Sequence, residues 1–316
     1  MTFNAICDII TKEANLTGQL CVFYILIYMC EVYMLDRKVK IVTDSASDLY
    51  DLGDFPFASA PLCIMTDEKS YVDNDDLSVA GMVEDLEAYS GRSRTSCPNL
   101  GDWLAAFGDA DEVYCITITS GLSGSYNAAC IAAKQYEEDH PGRRVLVVDS
   151  RSTGSEMVLL AEKIRDLLLL GRSFDEISAE MATYAHKETA LLFILESMRN
   201  LANNGRVSPL VAKFAGMIGI RALGRASDVG TLEMLDKCRG TQRAVQTLYE
   251  RMKSFGYVGG RIRIATCFNP AAAEKLVELI KRDFPEADIA VRGCRGLCSF
   301  YAERGGILVG FEKTAD

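Results

Sequence analysis

Short apolar runs alternate with longer stretches in which apolar residues recur every three or four positions, and this alternation organises the first half of the chain. The runs are Lys38–Thr43 (KVKIVT), Ala58–Met65 (ASAPLCIM), Glu112–Ile118 (EVYCITI) and Arg144–Val148 (RVLVV). Their short, mainly apolar character predicts strands buried on both sides. Helical spacing predicts helices over Asn99–Phe107, Ser125–Glu138 and Ser155–Leu170, the first with Asn99 as N-cap and Asp102 three residues on. Strands and helices in turn predict a parallel sheet covered by helices. The second half reads differently. Helices predicted over Phe174–His186, Pro209–Leu223, Thr241–Phe255 and Pro270–Phe284 are interleaved with strands Ala190–Leu195, Arg261–Cys267, Asp288–Val291 and Ile307–Glu312. A chain of 316 residues is long for one core. The expected fold class is therefore α/β, with a parallel-sheet domain over residues 36–170 and a smaller α+β domain over 171–316, divided near Gly171–Ser173.

Residues 1–35 do not fit this pattern. Leu20–Leu35 (LCVFYILIYMCEVYML) is apolar but shorter than the ~20 residues that span a bilayer, and it contains Glu31. Asp8, Lys12 and Glu13 do not make the basic start of a signal peptide. Three readings stay open: a membrane or interfacial anchor at residues 20–35, a helix packed on the domain, and an extension upstream of a start at Met34. Met34, directly before a clean domain start, favours the third.

Composition narrows the function. A net charge of −10 with no long basic stripe disfavours nucleic acid, which needs local positive charge. Eleven cysteines, an odd number at irregular spacing, imply a reducing, cytoplasmic compartment. No CxxC pair occurs, and Cys294 with Cys298 lacks a second ligand pair, so no metal is expected. Four hydroxyl-rich loops lie at or near the carboxyl ends of first-domain strands: 44–48, 95–99, 119–125 and 149–155. Ligands of open α/β sheets bind at that edge, and helix N-termini there suit a small anion. Taken singly, each loop is an ordinary helix cap. Nucleotide fingerprints and the GxSxG elbow are absent from the sequence, and the two histidines, His140 and His186, lie outside these loops. A nucleophilic triad is therefore poorly supported. In the second half, Asn204–Pro209 (NGRVSP) offers Arg206 to an anion, and the apolar stretch after it suits either a core helix or the lining of a lipid-sized cavity.

In this order the segments KIVTDSASDL, APLCIMTDEKSYVD, RTSCPNLGDWLAAF, ITITSGLSGSYNAA, NNGRVSP and LDKCRGTQRAV resemble the DegV family, over some 280 residues from about Val39. The resemblance implies two α/β domains with a ligand tunnel between them that buries a long-chain fatty acid. It implies a cytoplasmic bacterial protein that is not itself an enzyme. Such a protein is the binding subunit of a fatty acid kinase, presenting the carboxylate to a separate ATP-binding subunit that makes acyl phosphate for phospholipid synthesis. No cofactor beyond the bound fatty acid is implied. Carried over by motif, Ser96 is the principal carboxylate donor with Thr95 beside it. Ser120 and Gly121 supply a hydroxyl and an N–H, Arg206 approaches the anionic head, and Arg239 belongs to a partner-contact surface. Two departures stand out. Cys63 occupies a place where the family often has Thr, and the family's His-x-Gly-Pro-Gly motif is replaced around Tyr301, which can donate a hydrogen bond instead. Glu303 and Arg304 are expected to form a local ion pair. The competing readings are a self-sufficient phosphotransferase or hydrolase, and a lipid-sensing regulatory module.

Overall fold

The computed structural model describes residues 37–208 and 219–314. The expectations for residues 1–35 and for most of the helix predicted over Pro209–Leu223 lie outside these residues. Among the described residues no helix is long and apolar enough to cross a membrane.

The first lobe is built on four parallel strands. They are β1 (Val39–Asp44), β2 (Phe57–Ala60), β6 (Glu112–Thr117) and β7 (Arg144–Asp149), in the spatial order β2-β1-β6-β7. The third run forms β6 and is buried along its whole length, as its apolar middle (Val113–Ile116) predicts, with Glu112 and Thr117 buried at its ends. The run Ala58–Met65 is not one strand. Pro61 breaks it, because it has no N–H for a ladder. β2 stays in the parallel sheet, and β3 (Cys63–Met65) joins β4 (Ser70–Val72) and β5 (Arg94–Ser96) in a small antiparallel sheet. Helices α1 (Val79–Ala88), α2 (Leu100–Phe107), α3 (Ser125–Asp139) and α4 (Ser155–Leu169) complete the lobe. The expected Asn99 cap forms in full: its side chain accepts from the Asp102 N–H, and Asp102 accepts from the Asn99 N–H.

After α5 (Phe174–Thr183) and a π-turn over Tyr184–Glu188, the chain enters a six-stranded, mainly antiparallel sheet. Its strands are β8 (Thr189–Leu195), β9 (Ile220–Ala226), β10 (Leu232–Arg239), β11 (Ile262–Thr266), β12 (Ile289–Gly293) and β13 (Ile307–Glu312), in the order β10-β9-β8-β13-β11-β12. Short α6 (Arg199–Asn203) follows β8. Helices α7 (Thr241–Ser254) and α8 (Pro270–Asp283) cover one face, and α9 (Gly296–Ala302) precedes the last strand. Ile220–Leu223, expected as helix, is strand. Gly219 at φ 76° marks the entry to it, and β9 pairs with both β8 and β10.

The first core continues past Gly171, since Phe174, Ile177, Met181 and Tyr184 pack in one cluster with Ile41 and Tyr114. We propose that the division between the lobes falls near residue 188 rather than at 170–171. The chain also returns to the first core late, through Leu297 and Phe300 of α9. The two lobes are thus tied by α9 as well as by the covalent link at the π-turn.

Candidate functional site

The carboxyl edge of the parallel sheet spends its hydroxyls on its own backbone. Asp44 ends β1, and its Oδ2 accepts from the Ile118 N–H at 2.9 Å and from the Ser125 hydroxyl at 2.6 Å. Ser45 Oγ accepts from the Leu62 N–H at 3.0 Å, and Ser47 Oγ accepts from the Leu49 N–H at 3.2 Å. Ser150 donates to the Ser152 carbonyl at 3.0 Å. Other loop groups bond across the lobes: Ser155 donates to the Leu308 carbonyl at 3.0 Å, and Thr119 to the Gly230 carbonyl at 2.7 Å. Most of the loops expected to receive an anion are therefore joints.

Burial of these acids has a consequence for pH. Desolvation pushes Asp44, Asp48 and Glu156 each up to about 7, against the hydrogen bonds they accept. Below about pH 4 both the folded and the unfolded chain hold these protons. Between about 4 and about 7 the unfolded chain releases them while the folded chain keeps them, so their contribution to stability falls as pH rises. Unfolding free energies from urea titrations at pH 5, 6 and 7 are expected to fall more steeply for the wild type than for Glu156→Gln, by up to about 1.4 kcal/mol per pH unit. Equal slopes would show that Glu156 does not hold its proton.

Between the two sheets lies a cavity with about 700 Å³ of empty space counted to its open mouth. The first lobe lines it with Leu62, Thr95, Ile118, Leu122, Ser123 and Thr153. The second lines it with Leu191, Phe193, Leu195, Leu201, Arg206, Leu232 and Leu308, and α9 contributes Leu297, Cys298, Tyr301 and Ala302. The alternation of β8 explains part of this, because Leu191, Phe193 and Leu195 face the cavity while Leu192 and Ile194 enter the opposite core. The few polar groups converge. Thr95 Oγ1 and Tyr301 Oη are 2.8 Å apart. Arg206 Nε donates to the Leu122 carbonyl at 3.1 Å, beside Ser123, and Nη1 to the Asn204 carbonyl at 2.5 Å. Among the described residues Arg206 faces carbonyls and no carboxylate. Burial raises the Tyr301 phenol above its ordinary range, with the Thr95 hydrogen bond and the Arg206 charge acting the other way. It is therefore a neutral donor. The arrangement offers hydroxyl and guanidinium donors at one place on an otherwise greasy wall, which suits an amphiphile with an anionic head.

Of the site residues expected from the sequence, the structure brings Thr95, Arg206 and Tyr301 together and leaves the others elsewhere. Ser96 follows Thr95 in β5, so its side chain points to the other face of the small sheet. There it pairs across the ladder with Cys63, which pairs in turn with exposed Val72. Ser120 bonds Asp149 through both its N–H (3.0 Å) and its hydroxyl (2.5 Å). Gly121 is a close-approach glycine: a Cβ there would stand 2.8 Å from the Gly230 carbonyl, so the SGLSG loop is shaped by the hairpin turn of the second lobe. Arg239 is exposed at the end of β10. The Glu303–Arg304 pair does not form, because Arg304 reaches Glu87 at 2.8 Å and Glu303 accepts from the Asn200 N–H at 3.1 Å. His140 caps α3 through its own helix, 3.0 Å from the Tyr136 carbonyl, and takes no part in the cavity. Sequence reasoning placed Ser123 and Thr153 in the hydroxyl-rich loops without singling them out, and missed Leu191, Phe193 and Leu195 of β8 as lining. For the β8 residues the two-residue period of 191–195 carried the signal. No group of three or more metal-ligating side chains occurs among the described residues.

A family model described as "Uncharacterised protein, DegV family" matches residues 38–314. A DegV domain-containing protein of Streptococcus pneumoniae is 42% identical over 277 residues, covering 86% of this chain and 98% of its own. A DegV family protein from Eubacterium eligens, solved loaded with heptadecanoic acid, superposes with a TM-score of 0.86 at 42% identity, over 87% of this chain and 100% of that one. The Streptococcus pneumoniae Fatty Acid Kinase (Fak) B3 protein, solved loaded with linoleic acid, superposes with a TM-score of 0.85 at 41% identity, over 87% and 99%.

Proposed function

The chain belongs to the DegV family, and on that premise we propose that it holds one long-chain fatty acid between its lobes and presents the carboxylate to a separate ATP-binding kinase subunit. In this reading the chain is a lipid-binding subunit in acyl-phosphate formation, not an enzyme. The observation that carries it is the joint presence of a leucine-lined void and one small group of neutral and cationic donors. The ligands of the Eubacterium eligens and Streptococcus pneumoniae proteins have that chemistry. Burial of each methylene contributes about 0.8 kcal/mol, so the tail supplies most of the affinity and the head group mainly orients the molecule.

Protein purified from a bacterial host is expected to release fatty acid on denaturing extraction, read by mass spectrometry. Extraction that yields none, followed by no uptake of added oleate or palmitate, removes the proposal. The isolated chain is expected to make no acyl phosphate from ATP, and to support its formation when a fatty acid kinase ATP-binding subunit is added.

The carboxylate position is open to mutation. Thr95→Val and Arg206→Ala are each expected to weaken oleate binding by roughly 1–3 kcal/mol, through loss of a donor to a charged group. Ser96→Ala, on the outer face of the strand, is expected to change it by less than about 0.5 kcal/mol. A larger loss from Ser96→Ala than from Thr95→Val would move the carboxylate to the face shared with Cys63.

A further inference from the structure

A second groove opens between the lobes, bounded by Asp48, Tyr50 and Asp51 on one side and by Thr266, Phe268, Arg292 and Ser299 on the other. It has about 1220 Å³ of empty space counted to solvent, and shares no lining residue with the lipid cavity. Leu297 and Cys298 of α9 face the cavity while Cys294 and Ser299 face the groove, so this segment walls one from the other.

The feature that calls for a ligand is an arginine without a counterion. Arg263 of β11 and Arg292 of β12 lie on the same face of the sheet, because the parallel register sets Arg263 beside Ala290 and Ala265 beside Arg292. Arg263 is fully matched: Glu162 and Asp288 stand 2.7 and 2.9 Å from its Nη2, and its Nη1 donates to the carbonyls of Ile262 and Asp288. Arg292 is only partly exposed and has no hydrogen bond or ion pair among the described residues. Burial lowers its pKa despite the more distant charges of Glu162, Asp48 and Asp51. Neither carboxylate facing the groove pairs with Arg292, although Asp48 Oδ2 is buried with no hydrogen-bond partner among the described residues. Asp48 accepts the Arg295 N–H at 2.7 Å and is raised to about 7 by burial, and Asp51 accepts the Gly53 N–H at 3.0 Å. A guanidinium carries a planar fork of donors matched to an oxyanion, and leaving it half-desolvated and unpaired is costly. The hydroxyl-bearing Thr266 and Ser299 line the same space.

We propose that this groove is a second ligand site, in which the Arg292 fork binds a small oxyanion, a carboxylate or a phosphate, independently of the lipid. The site does not rest on the fatty-acid reading.

The test is a titration of the full-length protein with sodium phosphate and, separately, sodium acetate at constant ionic strength, read as the unfolding temperature. A saturable rise with a midpoint below about 10 mM is expected for at least one of them. Arg292→Ala is expected to abolish it, and Arg292→Lys, which keeps the charge and loses the fork, to weaken it at least threefold. Co-purified lipid is expected to be the same in all three proteins, which separates this result from failure of the lipid site. No saturable rise in the wild type, or an equal rise in Arg292→Ala, overturns the proposal. If Arg292→Ala does not fold, an Arg292→Lys titration that superposes on the wild type overturns it as well. Saturation by phosphate alone or by acetate alone identifies the oxyanion.

Discussion

Arg295→Ala is expected to destabilise the protein by about 3–5 kcal/mol, the cost of removing one partner from a buried ionic network. Arg295 is 1% exposed. Its Nη1 donates to the Leu49 carbonyl at 2.6 Å, and its Nη2 to the Asp73 carbonyl at 3.1 Å. The Asp73 carboxylate stands 3.6 Å from its Nε and that of Asp75 3.2 Å from Nη2, while the Tyr50 ring lies 4.2 Å from its guanidinium carbon. Truncation leaves two carbonyls and the buried Asp73 side chain facing an empty slot. It also disturbs the start of α9, where Asp73 accepts the N–H groups of Gly296 (2.9 Å) and Leu297 (2.8 Å). Tyr301 rides on that helix, so lipid retention is expected to fall with stability. Arg295→Lys keeps a charge but cannot reach both carbonyls, and is expected to fall between the two. Urea unfolding is the measurement. A loss below about 1 kcal/mol for the alanine variant would mean that the lobes are not joined through this residue.

Arg295 is also a measure of what the sequence conceals. The run CRGLCSFYAERGG shows apolar residues and a turn, but nothing in it says that the arginine enters the other lobe. The partners, Leu49 and Asp73, lie more than two hundred residues earlier. Elements set by local pattern were legible. The strand Ile307–Glu312 has the expected bounds, and the helices of 241–254 and 270–283 end within one residue of expectation. Elements set by partners were not. β10 (LEMLDKCR) has four charged residues in eight and no regular apolar–polar alternation, and it is held as a strand by β9 along its length. β4 and β5 are three residues each and exist because β3 lies between them.

The candidate site divides the same way. The sequence pointed to the threonine–serine pair, but which of the two faces the cavity was not legible. Strand alternation makes the choice all-or-none, and the register of β5 against β3 fixes it: Thr95 opposes buried Ile64, and Ser96 opposes Cys63. Tyr301 was found from its place in the altered C-terminal motif, and its partner across 206 residues of chain was not. The glycines of SGLSG read as an anion loop because that is a frequent use of such loops. Here the close approach of Gly121 to the Gly230 carbonyl gives Gly121 a packing role.

The leucine-lined wall leads to the largest ligand-dependent effect. If the tail is buried among Leu191, Phe193, Leu195 and Leu308, each methylene removed costs about 0.8 kcal/mol, so a ten-carbon acid is expected to bind more than a thousandfold more weakly than a sixteen-carbon one. A carboxylate held at the surface with its tail in solvent would show almost no dependence on chain length. Competition against a fluorescent fatty acid, run with saturated acids of ten to eighteen carbons, reads the slope directly. Leu232→Trp adds volume where β10 lines the cavity at a half-buried position, so the new ring has the void to enter. This variant is expected to bind short acids as the wild type does and to lose affinity for the longest ones by tenfold or more, so that the slope flattens or reverses at the long end. An unchanged slope in Leu232→Trp would place the tail elsewhere. A flat slope in the wild type would take the tail out of the protein altogether, whatever the head group touches.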